Sequence, residues 1–140
     1  MQAFRNLVEA SITHGNLAGV EDLLADDVVF HSPIAHTPYP GKPITAAILN
    51  AVARVFENFH YVSVIEEGNR SALVFEATIG DKRLNGCDFI TTNADGLISE
   101  FTVMVRPMSG AQALMEAMGA QFPQIQADAA AAMATEGDVA

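Results

Sequence analysis

A single cysteine, Cys87, is all the thiol chemistry this 140-residue sequence contains. One thiol excludes an internal disulfide and any cysteine cluster for a metal, and it fits a reducing compartment, the cytoplasm. Basic residues are also scarce: seven Lys and Arg against seventeen Asp and Glu leave a net charge of −10. An acidic surface repels phosphate backbones and anionic headgroups, so neither nucleic acid nor a membrane is an expected partner. No apolar run approaches the roughly 20 residues of a bilayer span. The start, Met1-Gln-Ala-Phe-Arg-Asn, lacks the basic, apolar, small-residue order of a secretion signal. The four histidines, His14, His31, His36 and His60, show no ligand spacing, so no metal and no cofactor is expected. What the chain does have is hydrocarbon. Half its residues are hydrophobic and only 17% are charged, enough for one domain with a true core.

Phe4, Leu7, Val8, Ser11 and Ile12 follow helical spacing, and His14-Gly15 ends that helix. Asn16 is placed to cap a short second helix carrying Val20, Leu23 and Leu24. Val28-Val29-Phe30-His31 then reads as a strand. Residues 32–41 hold Pro33, Pro38 and Pro40 and form a stiff loop; Pro43, just beyond, suits the first turn of a third helix. That helix carries the clearest buried stripe: Ile44, Ala47, Ile48, Ala51, Val52, Val55 and Phe56. After Asn58 the pattern changes to strands over 60–66, 71–79, 83–92 and 97–106, separated by Gly68-Asn69, Gly80-Asp81 and Asn93-Ala94-Asp95-Gly96. Such short connections require antiparallel neighbours, so the fold class is α+β, with helices on one face of a curved antiparallel sheet. Ser109 is placed to cap a last helix bearing Leu114, Met115 and Met118. The domain is expected to span 1–122, with 123–140 an Ala-rich acidic tail or frayed helix.

The Gly80-Asp81 turn fixes a register that sets Ile79 opposite Lys82, Ala77 opposite Leu84, Phe75 opposite Gly86 and Leu73 opposite Asp88. Opposed residues share a face. A four-residue loop at Asn93-Ala94-Asp95-Gly96 adds Phe101, Val103 and Val105 to that face; a three-residue loop would bring Glu100, Thr102 and Met104 instead. The four-residue loop is adopted because it keeps the face apolar. Asp88 is then one carboxylate in a wall of hydrocarbon. It reads either as a hydrated strand-edge residue or as a pocket acid whose pKa burial raises, so that it stays protonated and donates a hydrogen bond. Gly86, on the same face, leaves room for a ligand. Alternation turns Phe30 and Ser32 inward and leaves His31 with two readings, an outward strand residue or a polar helper beside Ser32, while His36 and Tyr39 lie in the Pro-rich loop near the cone mouth. Histidine is the natural proton carrier near neutral pH. Arg106 is expected to pair with Glu76 or Glu100, and Cys87 to be a small buried hydrophobe facing away from Asp88.

Several stretches resemble the SnoaL-like branch of the nuclear transport factor 2-like superfamily, a cone-shaped α+β fold. They are Gly15-Asn16, Leu24-Ala25-Asp26-Asp27-Val28-Val29-Phe30-His31-Ser32-Pro33, Tyr39-Pro40-Gly41-Lys42, Gly86-Cys87-Asp88-Phe89-Ile90-Thr91 and Val103-Met104-Val105-Arg106-Pro107. The resemblance covers roughly residues 4–120 and implies helices closing a cone over a curved sheet. Ketosteroid isomerase, in which one carboxylic acid is kept neutral by its apolar site, is the most useful comparison. Asp88 is similar in position to its protonated aspartic acid. At the place of its basic aspartate this chain has Ser32, at its oxyanion tyrosine Val8, and at its supporting tyrosines Leu24 and Leu49. Limonene-type epoxide hydrolases carry an arginine where this chain has Gly86.

The expectation is a pocket for a small, mostly apolar, carbonyl-bearing molecule. Asp88, His31 and Ser32 are the candidate catalytic residues, and Phe30, His36, Tyr39, Phe56, Leu73, Phe75, Phe101 and Val103 the candidate lining. If the protein is an enzyme, the parts suit cofactor-independent isomerisation or cyclisation. A non-catalytic carrier or sensor with the same pocket stays open, as does an interaction module using the outer sheet face. That face, with Val74, Glu76, Thr78, Phe89, Thr91, Thr102 and Met104, is expected to join a homodimer.

Overall fold

The computed structural model describes residues 1–139. Helix α1 (Gln2–Ser11) buries Phe4 and Val8, and a single 3-10 turn, Ile12–His14, runs into Gly15 at φ 73°. That left-handed conformation suits glycine, which has no Cβ to clash with the carbonyl. The expected second helix is only a 3-10 turn, Val20–Leu23, because Leu24 is already extended and opens strand β1 (Leu24–His31). The Pro-rich loop follows, ending in the two-residue strand β2 (Tyr39–Pro40). Helix α2 (Lys42–Val55) starts with Pro43 in its first turn, where the missing N–H costs nothing.

Strands β3 (Glu57–Glu67), β4 (Arg70–Ile79), β5 (Lys82–Thr92) and β6 (Ile98–Arg106) make the expected antiparallel meander. The full sheet has the order β2-β1-β6-β5-β4-β3, with β1 parallel to β6. The β4–β5 ladder has the register read from the Gly80-Asp81 turn, with Phe75 opposite Gly86 and Leu73 opposite Asp88. The β5–β6 ladder reaches the expected face by another route. Asn93 N–H bonds to the Leu97 carbonyl, which closes a three-residue tip rather than four. Thr92 lies opposite Ile98 and Thr91 opposite Glu100, so Ser99 is an extra, bulged residue. The bulge reverses the parity that the shorter tip had set, so Phe101, Val103 and Val105 share the face of Asp88 as expected, while the residue directly opposite Asp88 is Val103 and not Phe101, as the four-residue loop implied.

Helix α3 (Met108–Val139) closes the structure. The segment from 123 is a continuation of this helix, not a separate tail: Ile125 is 1% exposed and Ala129 8%, both in the main core with Phe4, Phe30 and Phe101. Ala140, the last residue of the expected tail, lies outside the described residues. Two aromatic groups hold the interior. Phe101 contacts Phe4 edge-on at 5.5 Å and Phe30 at 5.6 Å, while Phe75 stacks on Phe59 at 4.9 Å and meets Phe56 at 5.6 Å. Among the described residues no helix is long and apolar enough to cross a membrane.

Candidate functional site

Helices α1, α2 and α3 leave a cavity of about 270 Å³ over the inner face of the sheet. Phe30, Phe56, Phe75, Phe101 and Val103 line it as expected, and the 32–41 loop closes one side with Ser32 and Tyr39. The wall also takes in Phe4 and Val8 from α1, Phe59 and Tyr61 from β3, and Met118 and Ile125 from α3. Apart from Asp88, Ser32, Tyr39 and Tyr61, the lining is aliphatic, aromatic, methionine or glycine.

Asp88 stands in β5 between Leu73 and Val103 and is 7% exposed. Burial pushes its carboxyl up from 3.8 to about 7, because the anion loses its hydration; a hydrogen bond from Tyr61 pulls partly the other way. The Tyr61 hydroxyl donates to Asp88 Oδ2 at 3.4 Å. Burial also raises the Tyr61 phenol above its ordinary value, and the negative charge of Asp88 adds to the effect. The wall of hydrocarbon expected around Asp88 is thus broken by one residue, Tyr61. Tyr61 escaped the sequence reading for a geometric reason. Counted regularly from the Gly68-Asn69 turn, it falls opposite Glu76 on the outer face. The ladder instead pairs Ser63 with Val74 and Tyr61 with Phe75, leaving Val62 as a bulge that flips Tyr61 inward.

Three other candidates lie elsewhere. His31 points outward, and its Nε2 is 3.4 Å from Glu100 Oε1, so it does not reach the cavity. His36 is exposed on the loop and does not line the cavity. Leu73 is fully buried in the core beside Asp88, but does not form the cavity wall. Ser32 does line the cavity, and its Oγ accepts the backbone N–H groups of Ile34 at 2.9 Å and Ala35 at 3.1 Å. The space beside Gly86 is filled by protein rather than ligand. A methyl group there would run into the Met104 carbonyl and come within 2.7 Å of Phe75 Cζ. On the outer face Arg106 donates to Asn85 Oδ1 at 3.4 Å, while the acids expected to pair with it take His60 and His31 instead. Cys87 is half-buried rather than enclosed, and burial followed by the charge of Asp88 pushes its thiol up.

The SnoaL-like domain family matches residues 4–101. A steroid delta-isomerase from Pseudomonas aeruginosa is 42% identical, with 90% of this chain and 93% of that one covered and a TM-score of 0.82. The chain belongs to the SnoaL-like family. An uncharacterised bacterial protein with a cystatin-like fold, from Silicibacter pomeroyi, is 32% identical over 88% of this chain and 92% of its own, at a TM-score of 0.77. A de novo designed protein with a curved β-sheet shares the fold alone: 15% identity, TM-score 0.66, with 81% and 93% of the two chains covered. Among curated proteins nothing matches. The fold is therefore the α+β cone of the nuclear transport factor 2-like proteins, with its sheet open at both edges. In this SnoaL-like chain a phenol does meet the strand acid, but it comes from β3, not from α1, where Val8 stands.

Proposed function

We propose that this SnoaL-like chain binds a small apolar, carbonyl-bearing molecule and catalyses cofactor-independent proton transfer of the isomerase type. One observation carries the reading: a buried carboxyl–phenol pair, Asp88 and Tyr61, is set into a cavity that is otherwise almost wholly apolar. Pockets of this kind bind through hydrocarbon contact and orient through a few polar atoms. The likeness to a steroid delta-isomerase points to the same class of chemistry.

The proposed step uses the two groups in different roles. Asp88, as carboxylate, takes a proton from the carbon that lies between the ligand carbonyl and a β,γ double bond. The electron pair of that C–H bond becomes a new double bond to the carbonyl carbon, and the π pair of the carbonyl moves onto its oxygen, where negative charge develops. The Tyr61 hydroxyl turns from Asp88 to donate to that oxygen, which lowers the barrier because the new charge forms beside a donor in a buried, water-poor site. Asp88 then returns its proton to the γ-carbon, so the double bond moves and no net proton is consumed. A carboxyl near 7 suits a base working at neutral pH.

A second reading, a carrier, is favoured by Ser32. It occupies the place where the resembling isomerases hold a basic aspartate, and its oxygen is engaged by two backbone N–H groups. An apolar β,γ-unsaturated ketone separates the two, through the growing ultraviolet absorbance of the conjugated product. Turnover that disappears in Asp88→Asn supports the enzyme; calorimetric binding with no turnover in the wild type supports the carrier. No binding at all overturns both. The same reading includes a cytoplasmic homodimer through the outer sheet face. Its support is a row of exposed apolar side chains there: Ile65 is 63% exposed, Met104 58% and Phe89 43%.

A further inference from the structure

Ser32 sits one residue past the end of β1, whose last two positions pair in parallel with Phe101 and Thr102 of β6. The next inner position is therefore in line with Val103, and Val103 is opposite Asp88. Ser32 and Asp88 belong to one row of the sheet, two strands apart. At about 4.8 Å per strand their Cα atoms are roughly 10 Å apart, with Val103 between them. Both side chains line the cavity.

A serine hydroxyl offers one donor and two acceptor lone pairs. At Ser32 the two acceptor positions are used, by Ile34 N–H and Ala35 N–H, in a local turn that holds the start of the loop. Only the O–H proton is left uncommitted among the bonds this oxygen makes. A buried or half-buried donor without a partner costs free energy, and the hydroxyl is beside the cavity, where a ligand atom can meet it.

We infer that Ser32 is a dedicated hydrogen-bond donor to a second oxygen of the ligand, so the molecule that fills this cavity carries acceptor oxygens at two ends of an apolar skeleton. One end lies at Asp88 and Tyr61, the other at the loop. Ser32 then sets specificity and orientation, and removes no proton itself. This rests on the reading of the cavity as a ligand site.

Two rigid bicyclic probes test it: trans-2-decalone, with one carbonyl, and trans-decalin-2,6-dione, with carbonyls at both ends. Isothermal titration calorimetry should show the wild type preferring the dione by about fivefold, the effect of one added neutral hydrogen bond. Ser32→Asn keeps both the turn acceptor and a donor and should keep the preference. Ser32→Asp keeps the turn acceptor but brings a carboxylate in place of the donor, and should abolish the preference. A dione preference that survives Ser32→Asp, or is absent in the wild type while the decalone binds, overturns the inference and leaves the cavity reading standing. Failure of the wild type to bind either probe overturns both.

Discussion

The Asp88 carboxyl makes this protein's stability depend on pH with an unusual sign. Its folded-state pKa is raised from 3.8 to about 7, with burial as the main cause. Between those values the folded protein holds a proton that the unfolded chain has released, so stability falls as pH rises. The contribution is fully present below about pH 4 and gone above about pH 7, with no further change beyond. The difference between those two values corresponds to about 4 kcal/mol of stability. Asp88→Asn removes the titration while keeping the size of the side chain and an oxygen that can accept from Tyr61. Urea unfolding of both proteins at half-unit steps from pH 4.5 to 8.5 should show the variant gaining on the wild type, step by step, up to a plateau near pH 7. The other carboxylates cancel in the difference. A difference that is flat with pH, or that shrinks as pH rises, would mean that a partner stronger than Tyr61 holds Asp88 as an anion and that burial does not set its pKa.

The remaining expectations follow from single contacts. Tyr61→Phe removes the donor that favours the anion, so a carbon-detected NMR titration should find the Asp88 carboxyl higher still; a lower value would contradict the 3.4 Å bond. Above pH 7 the same change should cost about 1 kcal/mol in urea unfolding. Gly86→Ala sets a methyl group against the Met104 carbonyl and the Phe75 ring and should cost about 1–3 kcal/mol, as overpacked cores do; a neutral result would show that the ring moves freely. Light scattering at micromolar concentration should find a dimer, and Phe89→Glu on the outer face should yield monomers with unchanged ligand binding. A monomeric wild type would refute the face as an interface.

The sheet was legible where turn chemistry set it and illegible where bulges did. Gly80-Asp81 allowed the β4–β5 pairing to be read residue by residue, which placed Asp88 on the inner face beside Leu73. The Ser99 bulge left the expected face intact only because its one-residue insertion offset a tip one residue shorter than assumed. The Val62 bulge had no such offset. It moved Tyr61, the phenol that hydrogen-bonds Asp88, from one face to the other. Because strand side chains alternate with a period of two, an insertion of one residue reverses every assignment beyond it. Val62 carries no Gly, Pro or charge to mark the insertion. Helix α3 past residue 123 was obscured for a different reason: an Ala-rich stretch has weak periodicity, and Ile125 alone does not mark a buried face.

The free-energy cost of Asp88 bears directly on its role. At neutral pH the charged, buried group costs about 4 kcal/mol, against total stabilities of typically 5–15 kcal/mol for a domain. Its hydrogen bond from Tyr61, at 3.4 Å, is long and recovers little of that. An asparagine could fill the same volume and accept from Tyr61 without the penalty. A leucine would continue the hydrocarbon wall formed by Val103 and Phe101. Packing and sheet formation therefore do not account for an ionisable group at this position. What only a carboxyl supplies is a proton that can leave and return near neutral pH, next to a phenol and facing a cavity. Ser32 differs, because its turn bonds already give it a structural use. That is why the variants at Ser32 must separate the turn from the donor, whereas at Asp88 removing the charge is sufficient.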